Sequence, residues 1–305
     1  MSAIDYLFVV NPISGGNDKS SFYRFIETEI SPQDNPYEIF KTTGDDDEIK
    51  LKKLVKKHKP EVIVSVGGDG TLLLVAKVSK NTSSKIALIP FGSANGMSKE
   101  LNIPKIPDIK LSLNPAERFR DCWNIIKKGK SIDVDLLQIN KNHYSLHLSD
   151  IGLNAKIVKR FEEEKIRGYF GYARLLLKEL KQKKRISYQL IANGKRYTGK
   201  AYMIVIANAT KYGTGAVINP IGKLNDGIFE ICIVKQVKLI AILRSLLRIF
   251  NKNLHNRKDV LKVVPCKKAT LELKNEETLQ VDGEVVGEIK KVEVKIIPGA
   301  LKMIV

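Results

Sequence analysis

No stretch of this chain approaches the roughly 18 uncharged apolar residues that a membrane-crossing helix needs, and the opening MSAIDYLFVVNP has only a five-residue apolar run with no basic segment before it. The expectation is a cytoplasmic protein without a spanning helix. Cysteine is scarce: Cys122, Cys232 and Cys266 stand far apart, which fits neither a disulfide framework nor a zinc spacing and indicates core residues in a reducing compartment. Internal repeats and low-complexity linkers are absent, so two closely packed halves are expected. Acidic residues are the other shortage, 33 Asp and Glu against 52 Lys and Arg, which leaves a formal charge of +19. That surplus favours anionic partners, whether nucleic acid, an anionic membrane or a phosphorylated small molecule, and by itself selects none of them.

What the 305 residues do supply is enough apolar material, 43% of the chain, for one large or two ordinary domains. The pattern changes near residue 130. Before it, short apolar runs at 6–10 (YLFVV), 62–66 (VIVSV) and 86–90 (IALIP) alternate with helical segments, as strands of a parallel sheet do. Asp45, Asp46 and Asp47 open one helix and Lys56 and Lys57 close it, the polarity a helix dipole favours. Asn114, Pro115 and Glu117 read as N-cap, N1 and N3 of another that stops at Gly129. Beyond residue 130, two-residue alternation in SIDVDLLQIN, HYSLHLS, RISYQLIANG, GIFEICIV, ATLELK and KVEVKII describes antiparallel strands, with Asn193-Gly194 as a hairpin turn and helical interruptions near 156–184 and 236–250. The expected architecture is α/β plus β-rich. An open α/β nucleotide-binding domain over residues 1–130 precedes a larger antiparallel β-sandwich over 131–305, whose last strand is free to return to the first domain.

Each strand of the first half ends in a loop of small residues: Asn11-Pro12-Ile13-Ser14-Gly15-Gly16, Gly67-Gly68-Asp69-Gly70-Thr71, and Pro90-Phe91-Gly92-Ser93-Ala94-Asn95-Gly96. In an open parallel sheet these ends share one edge, so three glycine loops converge where ligands bind. Glycines let backbone N–H groups approach an anion, the following helices direct their positive ends there, and Ser14, Thr71 and Ser93 add hydroxyls, which together describe a polyphosphate site. The loops are not a Walker A motif, since Asn124 stands where the first glycine before Gly129-Lys130-Ser131 belongs. Nor are they a dinucleotide fingerprint, since Leu73 replaces its third glycine.

These motifs resemble the diacylglycerol-kinase-type catalytic domain shared by bacterial lipid kinases, sphingosine kinases and ceramide kinases. The resemblance extends through Ser149-Asp150-Ile151-Gly152, NATKYGTGAVINPIGKLNDGIFEI, Val281-Asp282-Gly283-Glu284 and the closing IIPGALKMIV, nearly the whole chain. It implies an ATP-dependent lipid kinase, with ATP bound by the first domain, the lipid acceptor by the second, and catalysis in a cleft between them. ATP would be surrounded by Asn11, Ser14, Gly15, Thr42, Gly67, Gly68, Asp69, Gly70, Thr71, Leu72, Leu73, Ser93 and Asn95, with Asp69 serving nucleotide and magnesium. A second, structural Mg2+ would be held by Asp226 and the carbonyls of Lys223 and Ile228, and Asp282 and Glu284 would form the acidic pair that activates the lipid hydroxyl. The third loop departs from the family's usual Gly-Thr-x-Asn-Asp: Gly96 stands where that pattern has a carboxylate.

The residues themselves bear on these implications. Asp282 and Glu284 are two apart, so on a strand they share a face and supply the carboxylate that phosphoryl transfer to an alcohol needs; the same letters also spell an Asp-Gly hairpin. Asn225-Asp226-Gly227 reads as a turn, a setting compatible with oxygen ligation of magnesium. Residues 235–258 give a helix with a broad apolar face flanked by Lys238, Arg244, Arg248, Lys252 and Arg257, which suits either an anionic membrane surface or ordinary packing on the sheet. The basic segment from Lys156 to Arg185 has the same character, and Tyr169, Tyr172 and Arg174 within it suit a lipid head group as well as they suit core or surface. His143 and His147 share a strand face and read as a surface pair, not a metal site, and Trp123 reads as packing. The alternatives are a soluble NAD kinase-like enzyme, disfavoured by the Asn11-Pro12 loop and the Asp282-Gly283-Glu284 motif, and a nonenzymatic membrane-binding relative, suggested by Gly96 and the charge. Nucleic acid is not an expected partner, because basic residues do not interleave with aromatics. An edge strand of the second domain is available for a homodimer.

Overall fold

The apolar runs near the start of the chain become the inner strands of a parallel sheet. A computed structural model describes residues 4–16, 19–31, 35–106, 117–163, 175, 185–212, 217–236 and 260–305, which form two units: Met1–Val134 with Gly299–Val305, and Asp135–Pro298. The first unit runs β1 (Tyr6–Val10), α1 (Ser20–Phe25), β2 (Tyr37–Lys41), α2 (Asp47–His58), β3 (Val62–Gly67), α3 (Asp69–Ser79), β4 (Lys85–Pro90), α4 (Gly96–Glu100) and α5 (Arg120–Lys128). All pairings in the order β2-β1-β3-β4 are parallel. Every residue of β3 is buried, as expected of a strand covered on both faces. Trp123 on α5 packs against Tyr6, Phe8 and Phe25, and Phe119 joins Phe22, Phe25 and Phe91 in the same aromatic layer. The helix stops at Gly129, which takes a left-handed conformation. A single 3-10 turn, Glu117–Phe119, precedes it, and the expected caps Asn114 and Pro115 lie outside the described residues.

The second unit contains most of β5 (Ser131–Ile139), then β6 (His143–Ser145), β7 (Leu148–Gly152), α6 (Leu153–Glu163), β8 (Ile186–Ala192), β9 (Lys195–Ala201), β10 (Met203–Ala207), β11 (Phe229–Val234), β12 (Leu261–Cys266), β13 (Lys268–Val281) and the start of β14 (Glu284–Ile304). The order β12-β11-β10-β7-β13 is antiparallel throughout. β13 serves two sets of partners: its first half pairs with β8, its last three residues pair with β7, and its register against β14 shifts between Glu272 and Glu277. Ile151, Ile204, Ile231 and Val264 thereby meet Leu190, Leu271 and Val292 in one apolar cluster. The end of β14 belongs to the first unit, where Lys302 and Met303 lie parallel to Lys85 and Ile86 of β4.

Four strands were not evident from alternation. β2 is half-buried and β10 is a continuous apolar run, so neither shows a two-residue period. β12 is short and carries Pro265 at the sheet edge, while β9 is a lysine-bearing edge strand in which Gly199 lies under the ring of Tyr188. HYSLHLS is two strands broken at Leu146-His147, and the reading of His147 as a surface residue is corrected: the break turns its side chain into the protein, where it is 7% exposed. All three cysteines are free and buried. All but Lys235 and Gln236 of the helix expected over 235–258, and most of that expected over 156–184, including Tyr169, Tyr172 and Arg174, fall outside the described residues. No described helix is long and apolar enough to cross a membrane.

The C-terminal strand carries real packing weight, since Leu301, Met303 and Ile304 are at most 3% exposed. Met303→Ala is expected to cost about 2–5 kcal/mol, read as a lower urea midpoint at unchanged slope.

Candidate active site

The strand order reverses between β1 and β3, so the crevice expected at the carboxyl edge of such a sheet lies beside the loops that follow those two strands. In the first loop Asn11 Oδ1 accepts the Ile13 N–H at 3.1 Å, the Asn11 carbonyl accepts Ser14 Oγ at 3.0 Å, and Gly15 follows at φ 66°. Lys19, which the sequence did not mark out, is buried, donates from Nζ to the Ser14 carbonyl at 2.8 Å and lies 4.3 Å from the centre of the Phe91 ring. Thr42 follows β2 on the same edge, its N–H bonded to the Val10 carbonyl at 2.9 Å.

The glycines of the next two loops serve each other. A Cβ on Gly92 would stand 2.4 Å from Gly68 Cα and 2.6 Å from Asn95 Oδ1, and one on Gly67 would stand 2.3 Å from Thr71 Oγ1. The space left by the missing side chains is therefore filled by protein, which narrows the reading of these residues as openings for an anion. Asn95 clamps Gly92 at both ends of the peptide, accepting from its N–H at 2.8 Å and donating to its carbonyl at 2.6 Å. Asp69 accepts from the N–H groups of Gly96 (2.8 Å) and Met97 (3.2 Å), so its carboxylate holds the start of α4. Gly67, Gly68, Asp69, Leu72, Pro90 and Asn95 line one small pocket, Gly70 and Ser93 are exposed, and Thr71, Leu72 and Leu73 are buried on α3.

In the second unit, Asp282 and Glu284 do not share a strand face. The chain reverses between them through Asp282 (φ 47°) and Gly283 (φ 96°), both in the positive-φ region that two-residue hairpins use. The Asp282 carboxylate turns inward and accepts from Ser145 Oγ (2.7 Å) and from the amides of Leu146 (2.7 Å), His147 (3.1 Å) and Leu148 (3.1 Å), while Glu284 is exposed. Burial holds the Asp282 carboxyl above its ordinary range, against the lowering effect of those donors. Asp226 lies exposed in its turn, with Oδ1 accepting the Ile228 N–H at 3.2 Å, and buried Asp135 anchors the same turn by accepting from Gly227 N at 2.7 Å. The Asp226 carboxylate and the backbone carbonyls of its turn are hard oxygen donors of the kind magnesium takes; among the described residues no cluster of three or more His, Cys, Asp or Glu side chains is formed.

Asp150 stands in the Ser149-Asp150-Ile151-Gly152 motif, and no separate role for it was legible in the sequence. It is fully buried on β7, and its Oδ2 accepts from Asn154 Nδ2 (2.6 Å), Gln280 Nε2 (2.6 Å) and Tyr212 Oη (3.1 Å). Burial pushes its carboxyl up to about 6, with the donors from Asn154, Gln280, Tyr212 and the Ala155 amide opposing.

Two family profiles meet this geometry. The diacylglycerol kinase catalytic domain matches residues 5–139, and the YegS C-terminal NAD kinase beta sandwich-like domain matches residues 149–305, more than half of the chain. The chain belongs to the YegS-like family of lipid kinases with a diacylglycerol-kinase-type catalytic domain. Membership makes it a kinase and implies ATP as the phosphate donor. Its relatives include proteins named "Probable lipid kinase YegS-like" from Yersinia enterocolitica, 25% identical over 250 residues (79% of this chain, 78% of the relative), and from Yersinia pestis strain Pestoides F, 23% identical over 246 residues (79% and 77%). The fold is that of a diacylglycerol kinase crystal structure from Bacillus anthracis, with TM-score 0.71 at 20% identity over 98% of this chain and 96% of that one. A further structure from that organism reaches a TM-score of 0.76 at 21% identity and the same coverage.

Gly92→Ala in this kinase is expected to lower stability by about 1–3 kcal/mol, measured by urea unfolding, because backbone atoms of Gly68 cannot give way as a side chain could. Asp150 gives a pH signature. Between 3.8 and about 6 the folded protein keeps a proton that the unfolded chain has released, so stability falls as pH rises through that window and is level above it. The span is about 3 kcal/mol. The wild-type minus Asp150→Asn difference in unfolding free energy should decline across that window in urea titrations and be flat above it.

Proposed function

We propose that this kinase transfers the γ-phosphate of ATP to a hydroxyl of a membrane lipid such as diacylglycerol. The observation that carries the reading is the gathering of the 11–16, 67–71 and 90–96 loops on the carboxyl edge of one parallel sheet, in a chain whose second unit ends β13 in the Asp282-Gly283-Glu284 turn. Asn11, Ser14, Gly15 and Thr42, with the loops carrying Gly67, Gly68, Asp69, Gly70, Ser93 and Asn95, surround the nucleotide. Asp69 and Asn95 act there chiefly by holding the loops, as their hydrogen bonds to Gly96, Met97 and Gly92 indicate.

The acceptor oxygen attacks the γ-phosphorus, the bond to the β–γ bridging oxygen breaks, and ADP leaves. The hydroxyl proton passes to the Asp282 carboxylate, whose raised proton affinity suits a base, and Glu284 completes the acidic pair. Magnesium, when bound with ATP, offsets the charge of the phosphates. A structural magnesium would be held by Asp226 with the carbonyls of Lys223 and Ile228. The charge of +19 supports peripheral association with the anionic inner face of a membrane. β9 and β12, each paired on one side among the described residues, are the strands through which two copies would join.

The test is transfer of labelled γ-phosphate from Mg-ATP to diacylglycerol, monoacylglycerol, sphingosine, ceramide and phosphatidylglycerol in mixed micelles, with NAD as a soluble control. Asp282→Ala strands Ser145 Oγ and three amides, so its unfolding midpoint must be measured beside its rate. Glu284→Gln, at an exposed position, leaves the fold intact. A labelled lipid that falls at least about 100-fold in folded Asp282→Ala supports the assignment; labelling of NAD alone, or equal lipid labelling by both variants and wild type, overturns it.

A further inference from the structure

Asp150 stands opposite Gln280 in the register of β7 and β13, and three donors from three separate segments converge on one of its oxygens. A carboxylate can only accept, so it takes the amide end of the Gln280 side chain. The carbonyl end is thereby left for the next donor along, and it accepts the Gly283 N–H at 2.6 Å. Gly283 is the second residue of the two-residue turn, and the first, Asp282, is gripped from the other side by residues 145–148. A turn with positive φ at both residues is set by whatever fixes its peptide groups, and here Gln280 fixes one of them.

We propose that Asp150, acting through Gln280, is a positioning residue for the turn that carries Asp282 and Glu284. The inference rests on the reading of that turn as the catalytic one. Asp150 itself is fully buried, and its effect on the turn passes through its hydrogen-bond partner Gln280. Its contribution is orientation: it makes the Gln280 carboxamide point one way and not the other, and ties the turn to Asn154 on α6 and to Tyr212.

The experiment uses the full chain with Asp150→Ala, Asp150→Asn and Gln280→Met, and reads two things: hydrogen exchange at the Gly283 amide by NMR, with Val205 on β10 as reference, and kcat and KM for ATP in the lipid transfer assay. Asp150→Ala and Gln280→Met should speed Gly283 exchange about tenfold with Val205 unchanged, and lower kcat about tenfold or more at unchanged KM for ATP. Asp150→Asn, which keeps an acceptor toward the three donors, should recover most of both. Wild-type exchange at Gly283 or wild-type kcat in folded Gln280→Met overturns the inference and leaves the kinase reading standing. If Asp150→Ala does not fold, Gln280→Met decides alone, because it removes the tie to Gly283 and leaves Asp150 its other two donors. Failure of the wild-type protein to label any lipid overturns the reading of the turn, and the positioning role falls with it, whatever the exchange shows.

Discussion

A backbone N–H removed from water must find an acceptor, and in this protein the loops around the candidate functional residues find theirs in aspartate side chains. Asp69 receives Gly96 and Met97, Asp135 receives Gly227, and Asp282 receives Leu146, His147 and Leu148. Charge-assisted bonds of this kind are about twice as strong as neutral ones, so each fixes a loop that small residues would otherwise leave loose. In a chain with so few acids for its basic residues, these carboxylates are committed to shape before any chemistry is asked of them.

That commitment changes how the family's motifs are to be understood in this chain. The Gly67-Gly68-Asp69-Gly70-Thr71 loop owes glycines to close approach within the protein, between Gly68 and Gly92 and between Gly67 and Thr71. Gly96 lacks the carboxylate of the family pattern, and its N–H instead donates to the carboxylate of Asp69. Asp282 combines the two demands on one group. The donors that hold the turn stabilise its charged form, burial opposes it, and the balance leaves a carboxyl with raised proton affinity.

Buried polar groups behind the turn extend the same logic. Asp150, Gln280, Tyr212 and Asn154 come from β7, β13, the segment after β10 and α6, and meet on one oxygen atom. Burying that carboxyl costs stability near neutral pH, as its shift to about 6 records, and the return is a directed hydrogen bond to Gly283.

Much was legible from the sequence for local reasons. Apolar runs followed by glycine-bearing loops marked β1, β3 and β4 and the edge where their loops meet, alternation marked β8, β11 and the Asn193-Gly194 hairpin, and the ordered motifs pointed to the family. Where strands were sought by alternation, β10 was not legible because burial on both faces erases the two-residue period, and β2 was not because it is only partly buried. The spacing of Asp282 and Glu284 could be read as a strand face or as a turn, and only folding chose the turn. Ser145 lies 137 residues from Asp282 and Gln280 lies 130 from Asp150, and no pattern along the chain names such partners. The sequence by itself determined the long apolar runs, the alternating strands and the glycine loops, since those follow from neighbours a few residues apart. Tertiary structure alone decided which amide each carboxylate holds, because that depends on which strands become neighbours in space.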